Sequence, residues 1–258
     1  MLRILVLFLL LFPSHAVAQD ERRVASPDGQ LEFRIRVAAQ DNSALSRLAY
    51  QVFYHGKPLI DTSYLGLNVR FQEPLLGEND GLTASKSSSG AVYNSLVAEY
   101  MQNGSLARRI NVEARVANDG VAFRYVIPQS TPLVEFLLED ETTEFAFAQS
   151  GNVFPANGRE ATGLARISSQ PRLALPLLVE QPGMGWVGIV EAGAGRFPPA
   201  SLARSDDKIF VTRLAQRTGD PNIVYEGATP ITLPWRVVLV GADRTRLLQS
   251  EFLKSLKP

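Results

Sequence analysis

Residues Leu173–Leu202, LALPLLVEQPGMGWVGIVEAGAGRFPPASL, hold two apolar runs, Leu173–Val179 and Trp186–Val190, joined by Gln181-Pro182-Gly183-Met184-Gly185. Apolar runs of this length, bounded by Gly and Pro, predict buried strands paired through a turn. The second run ends at Glu191, ahead of a loop rich in Gly and Pro. A carboxylate placed where a core strand leaves its sheet can meet a ligand, or it can cap backbone N–H groups at the rim. Trp186, inside the apolar run, is expected in the core.

Working outward from this hairpin, the rest of the chain also reads as strands. Ser26-Pro27-Asp28-Gly29 is a turn signal. Leu31–Val37 then alternates strictly, as a half-buried antiparallel strand does. Leu48–Tyr54 is a second strand, the turn at Tyr54–Ile60 leads into a third, and Leu65–Phe71 is a fourth. Gly77–Gly90 shifts to Gly, Ser, Asn and Asp and predicts a loop, with a mobile SKSSSG portion. Asn103-Gly104 joins Val92–Met101 to Leu106–Val116, a strong hairpin signal. Asn118-Asp119-Gly120 turns into Val121–Ile127, which Pro128 ends. Leu133–Leu138, Glu144–Phe147, Ile209–Leu214 and Thr232–Val240 are further strands, and Phe154–Gly158 reads as irregular loop. Arg244–Leu256 alone has helical character, with apolar residues at 247, 248, 252 and 256. Short strands, regular turns and almost no helix predict an all-β antiparallel sandwich with a short C-terminal helix. No internal boundary leaves two viable cores, so residues 19–258 are expected to form one domain.

The first residues predict a signal peptide over 1–18: a basic Met1-Leu2-Arg3, an apolar Ile4–Phe12 too short for a membrane span, and the cleavage pattern Ala16-Val17-Ala18. The expected product is exported, periplasmic or secreted, without a membrane segment after cleavage. It has no cysteine, so its own core must hold it together without disulfides. Arg3 is one of 26 basic residues set against 26 acidic ones, so the processed chain carries a formal charge of −1. That balance gives no case for nucleic acid or an anionic membrane as partner. A neutral polar partner such as a sugar fits it.

Few residues could carry chemistry. His15 leaves with the leader and His55 falls in a turn, where a solvated role is expected. The sequence has no zinc pattern, phosphate loop, Gly-x-Ser-x-Gly or aspartate-rich calcium loop of the EF-hand type. Carboxylates are available at Glu139, Asp140, Glu141, Glu144, Glu160, Glu180 and Glu191, and the run Glu139-Asp140-Glu141 is expected on a solvated face. Paired carboxylates could serve glycoside hydrolysis only if folding brought two together. Tyr64, Tyr93, Phe154 and Phe197 sit near turns, where a ring could stack on a sugar.

Seven segments in order give a more specific signal: SPDG (Ser26–Gly29), YHGKPLI with SYLGL (Tyr54–Ile60, Ser63–Leu67), YNSL (Tyr93–Leu96), DGVAFRY (Asp119–Tyr125), TEFAF (Thr143–Phe147), GIVEA (Gly188–Ala192) and PWRVVLVG (Pro234–Gly241). Together they resemble the N-terminal domain of glycoside hydrolase family 97, exported calcium-dependent enzymes acting on α-linked glucosides and galactosides. The resemblance implies a super-sandwich of the kind found in aldose mutarotases, packed beside a catalytic (β/α)8 barrel. It also implies that Glu191, the Glu of GIVEA, lends a ligand to calcium. One carboxylate cannot make a tight calcium site, because the ion takes six to eight oxygens. The family's catalytic carboxylates belong to the barrel, which would begin where this sequence ends, so none is carried over and no enzyme activity is expected. Asn152–Arg172 departs from the family pattern, with Arg159-Glu160 where a Tyr-Glu is usual, and Phe197-Pro198-Pro199 stands near an expected Tyr-containing turn.

The resulting expectation is a carbohydrate-binding or accessory domain for α-linked gluco- or galacto-oligosaccharides. Glu191 and the loop aromatics Phe197 and Phe154 are its candidate sugar contacts, and Glu191 is its candidate ligand in an incomplete calcium site. Two alternatives follow: a docking partner for a separately encoded barrel or a truncated hydrolase, and, last, a mutarotase-type enzyme, which would need a His and a carboxylate as acid and base.

Overall fold

The computed structural model describes residues 20–40, 43–105, 107–155, 162–163 and 172–256, with backbone alone at 155, 162 and 163. The expected signal peptide and the Arg159-Glu160 position lie outside the described residues. Strands β1 (Arg22–Ala25), β2 (Leu31–Ala39), β3 (Ser46–Tyr54) and β4 (Lys57–Tyr64) form an antiparallel sheet in that order. The alternation of β2 is realised: Leu31, Phe33 and Ile35 are buried, while Glu32, Arg34 and Arg36 are half-exposed. β5 (Leu67–Val69) is shorter than the expected Leu65–Phe71, because Phe71 turns out of the sheet with a φ of 60°.

β6 (Asp80–Ser88), β7 (Tyr93–Gln102), β8 (Arg109–Ala117) and β9 (Gly120–Ile127) form a meander through the Asn103-Gly104 and Asn118-Asp119 turns. β6 corrects the expected loop at Gly77–Gly90. Its side chains beyond Asp80, Gly81 and Leu82 are exposed, so it has no apolar alternation to read. It exists by backbone pairing to β7 at the edge of a sheet. Polar, Ser- and Lys-bearing edge strands are a common device against edge-to-edge aggregation.

The remaining strands are β10 (Glu135–Glu141), β11 (Glu144–Ala146), β12 (Asn152–Pro155), β13 (Thr162–Gly163), β14 (Leu173–Ala174), β15 (Leu177–Gln181), β16 (Gly185–Ala192), β17 (Ala200–Asp206), β18 (Ile209–Leu214), β19 (Tyr225–Ala228), β20 (Ile231–Thr232) and β21 (Trp235–Gly241). Phe154 therefore lies in a strand, not in irregular loop. The expected hairpin forms between β15 and β16, with Val179 opposite Val187. Its first run is divided: Leu173-Ala174 pairs with β17 in another sheet.

A ten-stranded antiparallel sheet forms one layer, in the order β13-β12-β15-β16-β21-β9-β8-β7-β6, with β20 also on β9. Its inner face packs against the β1–β4 sheet, the β19-β10-β5 sheet and the β11-β18-β17-β14 sheet across one continuous apolar core. Phe123 of β9 meets rings from two of these sheets, Phe33 at 5.6 Å, Tyr50 at 4.6 Å and Phe145 at 6.4 Å. The architecture is the predicted all-β sandwich.

The outer face of the large sheet is covered by the chain's last elements, α1 (Arg244–Leu247) and α2 (Glu251–Ser255). The expected single helix is two short ones, capped at Asp243 and at Ser250, whose hydroxyl accepts from Leu253 N at 3.1 Å. Leu247, Phe252, Leu253 and Leu256 are buried, while Leu248 faces out. The sheet makes room with glycines: a Cβ on Gly188 would meet Leu247 at 2.9 Å, and one on Gly120 would meet Leu239 at 2.8 Å and Phe252 at 3.3 Å.

Candidate functional site

β16 turns Val187, Ile189 and Glu191 to the inner face, and the neighbouring β21 turns Arg236, Val238 and Val240 there. Register places Glu191 directly opposite Arg236. Arg236 is 1% exposed, and a charge so deep in an apolar strand must be paired. Its Nη1 donates to Glu191 Oε2. Its Nε donates to Glu141 Oε1 at 2.8 Å and its Nη2 to Glu141 Oε2 at 2.5 Å. Glu141, the last residue of β10, is itself 1% exposed, and the Glu191 side chain is 12% exposed. Burial pushes the guanidinium's pKa down, but the charges and hydrogen bonds of Glu141 and Glu191 outweigh it and hold Arg236 above the usual arginine value. The group bolts the large sheet to the β19-β10-β5 sheet.

The expected solvated face at Glu139-Asp140-Glu141 is thus corrected. Glu141 is a buried anion, Glu139 accepts from Asn68 and pairs with Arg70, and Asp140 pairs with Arg213 and accepts from Leu214 N at 3.2 Å. A signal for this group was present in β21: an arginine inside Trp-Arg-Val-Val-Leu-Val calls for a buried counter-charge. Nothing local named Glu141 as the counter-charge.

The fit of calcium to this site follows from its donors. Glu191 Oε2 and both oxygens of Glu141 are engaged by a guanidinium, and Glu191 Oε1 faces Ala200 N at 3.5 Å. Among the described residues no three of His, Cys, Asp and Glu gather as a metal would need. The described residues thus offer one carboxylate oxygen not held by a guanidinium, beside a fixed positive charge, which falls short of the roughly six to eight oxygens calcium takes.

From Glu191 the chain runs through Arg196–Pro199 to β17. This loop forms one wall of an open groove of about 460 Å³, lined also by Gln216, Arg217, Tyr225 and Glu226. Phe197 is 9% exposed and its ring stacks on that of Tyr225 at 4.5 Å, so the half-buried Tyr225 is the aromatic that the groove presents. A second groove of about 410 Å³ adjoins it, with Arg70, Thr218 and Asp220 in its lining, and the Arg217–Glu226 ion pair, at 2.5 Å, borders both. The structure therefore brings Glu191 and Phe197 to one end of the molecule. Phe154 lies apart, on the outer face of the large sheet, against Trp186 at 4.9 Å and beneath the Arg244 guanidinium. Trp186 is half-buried in that cluster and outside the main core. Tyr225 carried no sequence signal, since it acquires its role only by packing on Phe197. His55 is exposed at the β3–β4 turn, with its ring against Tyr54.

Fold and site define a two-layer β-sandwich with a buried ion-pair bolt beside an open polar groove. The chain belongs to the family described as glycosyl-hydrolase 97 N-terminal, whose model matches residues 24–258. Among solved structures it is similar to a glycoside hydrolase family 97 enzyme from Pseudoalteromonas sp. strain K8 in complex with acarbose, at 17% identity and a TM-score of 0.76, covering 92% of this chain and 38% of that one. The same enzyme in complex with panose matches at 18% identity, with the same TM-score and coverage. A β-arabinopyranosidase matches at 21% identity and a TM-score of 0.67, covering 86% of this chain and 40% of that one. The chain thus spans about two fifths of the length of these enzymes. No curated protein sequence matches it.

Proposed function

We propose that this chain is an exported, non-catalytic accessory domain that binds α-linked gluco- or galacto-oligosaccharides in the groove beside Tyr225. The observation that carries the reading is that groove: one aromatic face, held rigid by stacking on Phe197, is surrounded by the polar side chains of Gln216, Arg217 and Glu226. Sugar sites combine a ring that stacks on the apolar face of the pyranose with a few fixed donors and acceptors around it. The acarbose and panose bound by the Pseudoalteromonas relative supply the substrate class. Glu191 braces the groove wall through the Ala200 backbone.

The test is calorimetric titration of the protein with panose, acarbose and α-galacto-oligosaccharides. Saturable heat that disappears in Tyr225→Ala and persists in Phe154→Ala supports the reading. Silence across all three sugars overturns it. A second reading, docking against a (β/α)8 barrel, draws on Phe71 and Val134, which are 87% and 81% exposed at the same end of the β19-β10-β5 sheet. Co-purification of this chain with a separately expressed family 97 barrel, lost in Phe71→Ser, would favour it over sugar binding alone.

A further inference from the structure

We infer that Arg236 occupies the place of a metal in this domain, so that Glu191 is committed to an internal cation and the chain is indifferent to calcium. Three guanidinium nitrogens fill the space between the carboxylates of Glu141 and Glu191: Nε and Nη2 face Glu141, and Nη1 faces Glu191. Arginine stays protonated in proteins, so this cation does not leave by titration. Calcium binds oxygens at ~2.3–2.6 Å and takes about six to eight of them. An ion reaching Glu191 Oε2 would share that oxygen with Arg236 Nη1 and stand against a guanidinium that Glu141 holds in place through Nε and Nη2, so like charges would face each other in a site that is 1% exposed. An ion on Oε1 would meet an oxygen that already faces Ala200 N, with no cluster of three His, Cys, Asp or Glu among the described residues to complete its shell. The arrangement therefore shares one fixed positive charge between two converging carboxylates and ties the strands that bear them, β10 and β16, to β21.

The experiment is thermal unfolding of the full chain in chelator and in millimolar calcium, for the native protein, Glu191→Gln and Arg236→Met. The native midpoint is expected to be the same in both buffers. A rise of several degrees in calcium that vanishes in Glu191→Gln overturns the inference, because it shows Glu191 free to ligate. A rise that persists in Glu191→Gln overturns the chain's indifference to calcium as well, because it places the ion at another site. Arg236→Met removes the internal cation and leaves two facing carboxylates. If this variant folds, its midpoint is expected to rise with calcium, and a folded variant blind to calcium would show that Arg236 was not holding an ion's place. If it does not fold, the native protein and Glu191→Gln decide the matter between them.

Discussion

Arg236 sits in a strand whose other side chains are apolar, and its charge is tolerated because carboxylates 95 and 45 residues distant in sequence converge on it. Removing one member of a buried pair leaves the other uncompensated, at a cost of about 3–5 kcal/mol, whereas an exposed pair contributes about 0–1 kcal/mol. Glu141→Ala is therefore expected to lower the urea-unfolding free energy by several times the change seen in Arg217→Ala, whose partner Glu226 is half-exposed. Equal effects would mean that the bolt does not bear on stability. Asp80 shows the opposite case. It is 2% exposed, and neither carboxylate oxygen has a hydrogen-bond partner. Burial raises its pKa to about 7, against the lowering effect of the Arg108 charge. A raised acid binds its proton more tightly in the folded state, so its share of stability is full below the unfolded value near 3.8 and is lost as pH rises through about 7. Asp80→Asn is neutral throughout, so it is expected to unfold later than the native protein at pH 8, by an amount bounded on the order of 4 kcal/mol, with the gap closing toward pH 4. A gap that widens toward acid would refute the assignment. Neither residue was legible in the sequence. A run of acidic residues reads as a solvated face because local pattern says nothing of a partner 95 positions away, and Asp80 fell in a stretch with loop-like composition.

Elements with a buried face were legible, and those without one were not. β2, β7 and β8 alternate because one side of each meets the core. β6 overhangs the core, so only its backbone records that it is a strand. The turn in the central hairpin was also readable, and its two glycines are unequal. Gly183 has a φ of 73° with nothing near its missing Cβ, whereas Gly185 has a φ of 91° and a Cβ there would lie 2.7 Å from the Gly241 carbonyl oxygen of the neighbouring strand. Left-handed backbone costs an L-residue roughly 1–2 kcal/mol, and a backbone clash adds to that. Gly185→Ala should accordingly lower the thermal midpoint clearly more than Gly183→Ala. The tail was half legible: its apolar positions were read, but as one helix, because the Ser250 cap that starts α2 divides it. The tail covers Trp235, Val237 and Leu239, and Phe252 packs on Tyr93 at 6.2 Å. Deleting residues 243–258 is expected to red-shift tryptophan emission and create dye-binding apolar surface while the far-ultraviolet sheet signal survives. Collapse of the sheet signal as well would make the tail part of the folding unit and not a cover on it.

For the molecule as a whole, the segments that carry the family resemblance supply its internal contacts: Phe123 from DGVAFRY meets Phe145 from TEFAF in the core, and Glu191 from GIVEA meets Arg236 from PWRVVLVG in the ion-pair bolt. That is why the fold was readable at long range. The groove was not, because its walls come from 196–199, 215–217 and 224–226, which only the topology assembles and no motif marks. The central packing makes a last prediction about cooperativity. Phe123 is fully buried and touches rings of two small sheets from the inner face of the large one. Truncating such a residue costs about 3–5 kcal/mol. Both tryptophans, Trp186 and Trp235, belong to the outer-face cluster, on the far side of that sheet from Phe123. If the two faces unfold as one unit, Phe123→Ala must shift the fluorescence transition and the far-ultraviolet transition to the same lower denaturant concentration. The shared sheet supports that outcome, since β9, β16 and β21 contribute residues to both clusters and cannot lose one face alone. Separation of the two transitions in this variant would mean that the outer layer, with its tryptophans and helices, holds without the inner core, and the protein would then have two cooperative units within one sandwich.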